Sequence, residues 1–401
     1  MKILHTADWH LGKKLDHYTR IEEQIEVLDE MVSIAEEHAV DIVLVAGDLF
    51  DTFHPSTEAV DLFYKTLKRL TKNGKRPVIA IAGNHDSPSF IDAPDPLARE
   101  CGIFLIGYPQ TKVLPITLED FKITRSEVGF IELKLHSYDY PFRLIHTPYA
   151  NELRLKQYFG EEKDKGLNQV LASHWGQLAH DFCDSNGVNV LMTHLYMNSR
   201  GAALLDEPEG EKPLKIGNAD LVFADAIPQA IQYTALGHLH AYNNIGSDEK
   251  PVVYSSSILP YSFSEAGQEK FVNIVELEPN QPISQTAIRL RSGKKLARKS
   301  FTKIEDAVNW LSSNPDVLVE LTIESSTYLT AEERKMLYQN HDGIVYLIPK
   351  VQNDIIAPNV TQTINLDQDI RDLFRDYFKS KHQQEPNSEL MQLFDEINRL
   401  D

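Results

Sequence analysis

The sequence has few cysteines, no long apolar run and fewer basic than acidic residues. Its 401 residues include two cysteines, Cys101 and Cys183, which lie far apart and form no recognisable pattern. This argues against a disulfide framework, and the shortage of thiolates disfavours structural zinc and iron–sulfur clusters. No segment approaches the roughly 18 apolar residues that a membrane helix needs, and no signal peptide is recognisable. We therefore expect a cytoplasmic protein without a membrane partner.

The net charge of −19, from 40 basic and 59 acidic residues, predicts no general attraction to nucleic acid. One stretch is an exception, because residues 289–300 contain six basic residues and no acid. Such a strip is either a solvated strand edge or a surface that contacts DNA phosphates, and the sequence leaves both open. Its members are Arg289, Arg291, Lys294, Lys295, Arg298 and Lys299.

The first hundred residues alternate between buried strands and amphipathic helices. This alternation is typical of α/β proteins with parallel strands and right-handed crossovers. A later run of strands, the last of them at 270–278, predicts a second sheet packed on the first with helices outside. The expected elements of the first part are strands within 2–7, 40–48 and 76–86 and helices within 20–37 and 56–71.

The rest of the chain divides into smaller parts after residue 282. Residues 283–352 predict a small α/β unit, and the polar segment 353–368 predicts a linker. Residues 369–401 contain two short amphipathic helices, whose apolar faces fit a groove on a partner or pack on the chain itself. Those faces contain Leu373, Phe374, Phe378, Leu390, Leu393 and Phe394.

Polar residues of one chemical kind follow the predicted buried strands. The carboxyl ends of strands are where ligands bind in open α/β sheets, so we expect these residues to meet. The motifs are D-x-H, G-D, G-N-H-D, T-H and G-H-L-H, in this order along the chain. They contribute Asp8, His10, Asp48, Asn84, His85, Asp86, His194, His238 and His240.

Carboxylate, amide and imidazole ligands suit manganese, iron or zinc. Seven ligands are too many for one tetrahedral ion, but they suit two ions that share Asp48. One ion would take Asp8, His10 and His240, and the other Asn84, His194 and His238. We predict that His85 acts on the phosphoryl group or its leaving oxygen, with Asp86 orienting its ring. Each histidine taken alone is equally well a hydrogen-bonded core residue, and Asp8 or Asp48 alone is equally well a helix cap.

The ordered series of motifs resembles the calcineurin-like metallophosphoesterase superfamily. The stretches "HTADWHLG", "GDLFD", "AGNHDS", "THLY", "LGHLHAY" and "VVYSSSILPYSFSE" resemble, within it, the SbcD family of DNA break-processing nucleases. This resemblance implies a two-sheet α/β sandwich flanked by helices, with a small α/β capping domain and C-terminal helices. It also implies seven metal ligands, catalytic His85 and two Mn²⁺, with Mg²⁺ or Fe²⁺ as alternatives. Asp51 in "GDLFD" stands where relatives often have histidine, so we leave it outside the catalytic set.

The same resemblance implies a nuclease that acts on DNA ends, hairpins and single strands in double-strand break repair. Its implied partner is an SbcC-type coiled-coil ATPase, in a heterotetramer built on a homodimer through helices within 56–71 and 90–101. Two rival functions remain open. One is a phosphoesterase of the same fold that acts on cyclic nucleotides or phosphoproteins, and the other is a non-enzymatic scaffold.

Overall fold

The computed structural model describes most of the chain in two separate units, Met1–Lys350 and Val351–Asp401. The described residues are 1–156, 163–207, 221–325, 329–351, 370–382, 386, 390, 391 and 394.

The first sheet has six strands, of which four are parallel to one another. The order across the sheet is Ser284–Arg289, Phe271–Glu276, Lys2–Thr6, Ile42–Ala46, Val78–Ile81 and Ile103–Ile106. The two outermost strands on one side are antiparallel to their neighbours. This contradicts the expectation that segment 270–278 belongs to the second sheet. The apolar pattern shows that a strand is buried but not which sheet it joins.

The second sheet has seven strands, again with a parallel centre. The order is Asn243–Asn244, Val252–Tyr254, Tyr233–Gly237, Val188–His194, Phe142–Thr147, Phe130–Leu135 and Phe121–Glu127. The strands Ile103–Ile106 and Phe121–Glu127 were not expected from the sequence.

The two sheets pack face to face and each carries helices on its outer face. Along Ile42–Ala46, Ile42 and Leu44 point into the core between the sheets, whereas Val43 and Val45 pack under the helices. The same alternation in Val188–His194 places Leu191 in an outer core. Both faces of these strands are therefore buried, which explains their unbroken apolar sequences.

Helices cover the outer faces of the sheets, and two of them, Ile21–Glu37 and Thr57–Leu70, lie where the sequence places them. Ser56 caps one of them by accepting a hydrogen bond from Ala59 N at 3.3 Å. The α-helices of the sandwich are Ile21–Glu37, Thr57–Leu70, Pro88–Asp92, Asp95–Ala98, Glu152–Leu155 and Lys163–Phe182. Short 3-10 turns span Arg99–Cys101, Ala224–Ala226 and Phe263–Glu265, and two-residue strands span Lys14–Leu15, Tyr18–Thr19, Met197–Asn198 and Val222–Phe223.

A small α/β unit follows the sandwich and has its own core. The strands Lys295–Phe301 and Val317–Ser325 are parallel, and Ile344–Val351 completes a three-stranded sheet. The helices Ile304–Ser313 and Ala331–Asn340 pack on this sheet. Because Ser284–Arg289 pairs within the first sheet of the sandwich, the separate sheet begins only at Lys295.

The C-terminal unit contains the helix Ile370–His382. In it the Phe374 ring stacks on that of Phe394, with centroids 4.2 Å apart, so part of the predicted apolar face packs within the unit. Leu373, Phe378 and Leu390 are half-buried, whereas Leu393 and the predicted linker 353–368 lie outside the described residues. Among the helices in the described part of the chain, none is long and apolar enough to cross a membrane.

Candidate metal centre

The two sheets meet at the carboxyl ends of their parallel strands. His194 ends a strand of the second sheet, and its Nδ1 donates to the carbonyl oxygen of Ala46 in the first sheet at 2.8 Å. Gly237 permits this approach, since a Cβ there would overlap Ala46 O and lie 2.8 Å from His194 Nδ1. The strand ends predicted to carry ligands are thus brought together by close packing between the sheets.

Four of the seven predicted ligands have strained backbones. Asp8, His10, Asp48 and His238 have φ values of 54°, 43°, 48° and 106°. Such values are uncommon outside glycine and cost about 1–3 kcal/mol each. Backbone strain persists only where the surrounding structure holds the residue in place, and strained residues cluster at functional sites. The four strained residues therefore indicate a functional site here.

The first predicted ligand group is assembled around two facing histidines. The Nε2 atoms of His10 and His240 lie 3.0 Å apart, and both rings are buried. A carboxylate oxygen of Asp8 completes a set whose potential donor atoms all lie within 4.8 Å of one another. This spacing fits a single cation bound by one oxygen and two nitrogen atoms.

The second group converges on Asn84. Its Oδ1 lies 2.9 Å from Nε2 of His194 and 3.2 Å from Nδ1 of His238. Because Nδ1 of His194 donates to a carbonyl, the lone pair of the neutral ring is on Nε2 and faces this point. The three side chains therefore direct donor atoms to one place.

Asp48 lies between the two groups. Its Oδ2 is 3.6 Å from Nε2 of His10 and 3.3 Å from Nε2 of His194. Oδ1 accepts from the His85 amide at 2.9 Å, so Oδ2 is the oxygen that faces the two histidine nitrogens. Burying a carboxylate is costly, and cations on either side of Asp48 would reduce that cost.

The electrostatics also favour cation binding. Burial raises the pKa of Asp8 to about 7. Burial opposes a charge on His194, but the Asp48 carboxylate outweighs it and raises the pKa of His194 to about 9. A divalent cation bound beside these groups would favour the ionised Asp8 and the neutral His194, because it would supply the positive charge that a proton otherwise supplies.

His85 is held beside this centre by backbone contacts. Its Nδ1 donates to the carbonyl oxygen of Asp51 at 2.9 Å, and its ring meets that of His10 edge-on at 4.9 Å. Asp86 does not orient this ring, which corrects our prediction. The Asp86 carboxylate instead accepts from the amides of Gly83, Leu49 and Phe50 at 2.7–3.0 Å, because the tight turn leaves these amides without strand partners.

Several residues near the centre had not been predicted from the sequence. Arg154 donates to the carbonyl oxygens of Gly83 and Asp86, and the side chain of Asp51 lies 3.0 Å from Lys13 Nζ. The outer ring nitrogen of His240 contacts Glu265 at 3.2 Å, and that of His238 contacts Glu207 at 3.3 Å. Asp51 had been noted in the sequence but left outside the catalytic set. Of Arg154, Glu207 and Glu265, only Glu265 had a signal in the sequence, the S-x-x-E capping box that begins at Ser262.

The basic strip runs from the end of the strand Ser284–Arg289 through a loop that contains Arg291 and Lys294 into the strand Lys295–Phe301, and it is partly neutralised. Arg289 pairs with Glu269 at 2.6 Å, and Arg298 pairs with Glu320 at 2.8 Å. Lys299 lies over the Trp310 ring at 5.5 Å. Three of the six predicted DNA contacts thus have partners inside the protein. The other three are Arg291, Lys294 and Lys295.

The sandwich and its converging donors define a class of protein. The family described as calcineurin-like phosphoesterase matches residues 1–242, so the chain is a calcineurin-like phosphoesterase. It is 33% identical to the SbcD component of nuclease SbcCD from Bacillus subtilis (strain 168) over 417 aligned positions, which cover 99% of this chain and 97% of that protein. The chain belongs to the SbcD family of nucleases.

Two staphylococcal proteins of the same name are also similar. The SbcD component of nuclease SbcCD from Staphylococcus epidermidis is 31% identical over 74% of this chain and 71% of its own. The protein from Staphylococcus saprophyticus is 32% identical over 74% of this chain and 70% of its own. Family membership confirms the predicted enzyme class and sandwich fold.

Proposed function

We propose that this chain hydrolyses DNA phosphodiester bonds at double-strand ends, hairpins and single strands, with seven side chains holding two divalent cations. The observation that carries the proposal is the position of Asp48. Its buried Oδ2 lies between the nitrogen atoms of His10 and His194, one from each ligand group. The names of the relatives, which are components of a nuclease, support DNA as the substrate.

Two divalent cations, when bound, would activate a water for attack at phosphorus. Asp8, His10 and His240 would hold one cation and Asn84, His194 and His238 the other, with Asp48 lying between the two groups. Because Nδ1 of His85 carries the hydrogen bonded to Asp51 O, its Nε2 is the nitrogen that acts on the phosphoryl group. When the ring is protonated on both nitrogens, Nε2–H gives its proton to the leaving oxygen and the ring returns to its neutral form.

Manganese is the cation that we propose, with magnesium or iron as alternatives. Four imidazoles make the ligand set richer in nitrogen than a magnesium site usually is, and the absence of thiolate disfavours softer metals. Metal identity is measured directly by the cation that restores cleavage after chelation.

The same proposal extends to the outer parts of the chain. Residues 283–352 act as a capping domain that helps to position DNA, with Arg291, Lys294 and Lys295 as its phosphate contacts. The apolar faces within 369–401 dock on an SbcC-type coiled-coil ATPase, which gates the site. A homodimer forms through helices within 56–71 and 90–101, where the Leu97 side chain is 75% exposed. In the cell this assembly acts in the cytoplasm, at the nucleoid.

The decisive experiment compares cleavage of a labelled hairpin-ended duplex with turnover of a chromogenic bis-phosphodiester. Each is measured with manganese, with magnesium and with chelator. We expect manganese-dependent cutting of DNA, lost in His85→Ala with both cations still bound and retained in the control His136→Ala, since His136 is exposed. Full activity of His85→Ala at unchanged metal content contradicts the role of His85.

The two rival functions give different results in the same experiment. Turnover of the small substrate with DNA left intact, also in the presence of the ATPase, indicates a small-molecule phosphoesterase. Failure to bind manganese, together with no turnover of either substrate, indicates a scaffold.

A further inference from the structure

A buried ion pair lies directly behind one of the proposed ligands. Glu265 and Lys270 are 1% and 5% exposed, and the Lys270 ammonium lies 2.6 Å from Glu265 Oε2. The same ammonium donates to the carbonyl oxygen of His240 at 2.8 Å. Burying two ions is expensive, and an apolar pair of the same size is often at least as stable. Stability alone therefore does not explain why the pair is here.

The other carboxylate oxygen of Glu265 also has several hydrogen-bond partners. Oε1 accepts from the amides of Tyr261 and Ser262, both at 3.1 Å, and lies 3.2 Å from Nδ1 of His240. Oε2 pairs with the Lys270 ammonium at 2.6 Å, so donors lie on both oxygens and the carboxylate is in its ionised form. An ionised carboxylate only accepts hydrogen bonds, so Nδ1 of His240 must carry the hydrogen.

The position of that hydrogen decides what the opposite edge of the ring can do. With the hydrogen on Nδ1, a neutral His240 has its lone pair on Nε2, which faces Nε2 of His10 at 3.0 Å. The other tautomer would direct an N–H group into the ligand cluster, where no cation could bind it. In His194 the uncharged Ala46 carbonyl has this role, because it accepts the hydrogen from Nδ1 and leaves the lone pair on Nε2.

We propose that Glu265, held in place by Lys270, is a positioning residue that keeps His240 in its metal-binding tautomer. Neither residue belongs to the seven ligands or to the catalytic set. A carboxylate that accepts a hydrogen bond from the outer nitrogen of a ligating histidine fixes the ring and makes it a stronger ligand. Loss of such a carboxylate lowers metal affinity by about 10–100-fold. The inference rests on the proposed metal centre and assigns the pair to the Asp8, His10 and His240 group.

The test measures manganese binding to the intact parent chain and to its variants by titration calorimetry. Glu265→Gln should weaken one of the two binding events by about 10–100-fold and leave the other within twofold. Glu23→Gln is the matched control, because Glu23 also pairs with a buried cation, Arg20, at 2.6 Å but contacts no ligand. It should bind both cations as the parent does.

A second variant keeps the test valid if Glu265→Gln, which leaves the buried Lys270 without a carboxylate partner, fails to fold. The double change Glu265→Leu with Lys270→Met removes both charges together, so we expect it to fold, and it should show the same selective loss of one cation. Unchanged affinity at both positions in either folded variant overturns the proposal. If the parent chain itself binds no manganese, the metal centre fails, and that result is distinct from parent-like binding by the variants.

Discussion

The loop that carries Asn84 and His85 is held in part by a buried arginine, and replacing that arginine should lower both stability and activity. Arg154 is 8% exposed and donates to Gly83 O at 2.7 Å and to Asp86 O at 2.9 Å. We predict that Arg154→Met leaves both carbonyls without these donors and lets the loop shift relative to Asp48.

The magnitude follows from the two strong contacts. Hydrogen bonds from a charged group contribute about 1.5–3 kcal/mol each, so we expect a loss of about 3 kcal/mol in the free energy of unfolding after allowing for the apolar contacts of Met. A displacement of about 1 Å near reacting groups costs on the order of 100-fold in rate, and we expect a fall of this order in kcat/KM.

Arg76→Met is the matched control. Arg76 is 4% exposed and donates to Val40 O at 2.7 Å and to Leu70 O at 3.1 Å, both away from the proposed metal ligands. It should lose a similar amount of stability and keep its activity. Urea unfolding measures the first quantity, and manganese-dependent turnover of the bis-phosphodiester at about 25 °C measures the second. Equal activity of the two folded variants refutes the reasoning.

The remaining predictions concern the packing of the sheets, the DNA surface and the partner. Gly237→Ala forces the two sheets apart, so it should bind fewer than two manganese ions per chain, whereas Gly176→Ala, with nothing within 4 Å of the added Cβ, should bind both. Lys294→Glu with Lys295→Glu should weaken DNA binding and flatten its dependence on log salt by about 1 per lost contact, and an unchanged slope supports a solvated strand edge. Truncation after residue 365 should abolish co-purification with an SbcC-type ATPase without changing the melting temperature, and continued co-purification contradicts docking through these helices.

The short-range pattern of the sequence was sufficient for most elements and for the choice of ligands. Continuous apolar runs such as 40–48 identified strands buried on both faces, and the polar residues that follow them identified Asp8, Asp48 and His194 as neighbours in space. Parallel strands place their carboxyl ends at one edge of a sheet, which brings Asp8 near Asp48. His194 ends a strand of the second sheet, so its place beside them depends on the packing of the two sheets. The series of motifs therefore contains the whole set of proposed ligands.

Contacts between distant segments were decided only by the tertiary structure. The apolar pattern of Phe271–Glu276 suits either sheet, and pairing with Lys2–Thr6 decided between them. Arg154 binds a loop about seventy residues away, at Gly83 and Asp86, through backbone carbonyls that every residue has. The residue types at Gly83 and Asp86 therefore give no indication in the sequence that Arg154 binds there.

The proposed role of Glu265 also depends partly on the sequence and partly on the tertiary structure. Its capping box is visible in the sequence and indicates a local turn. Its approach to His240 depends on how the turn folds back onto a strand end of the second sheet. The sequence by itself determined which side chains can bind a cation, because that depends on their chemistry. The tertiary structure determined which nitrogen of each ring faces the site, because that depends on what lies behind the ring.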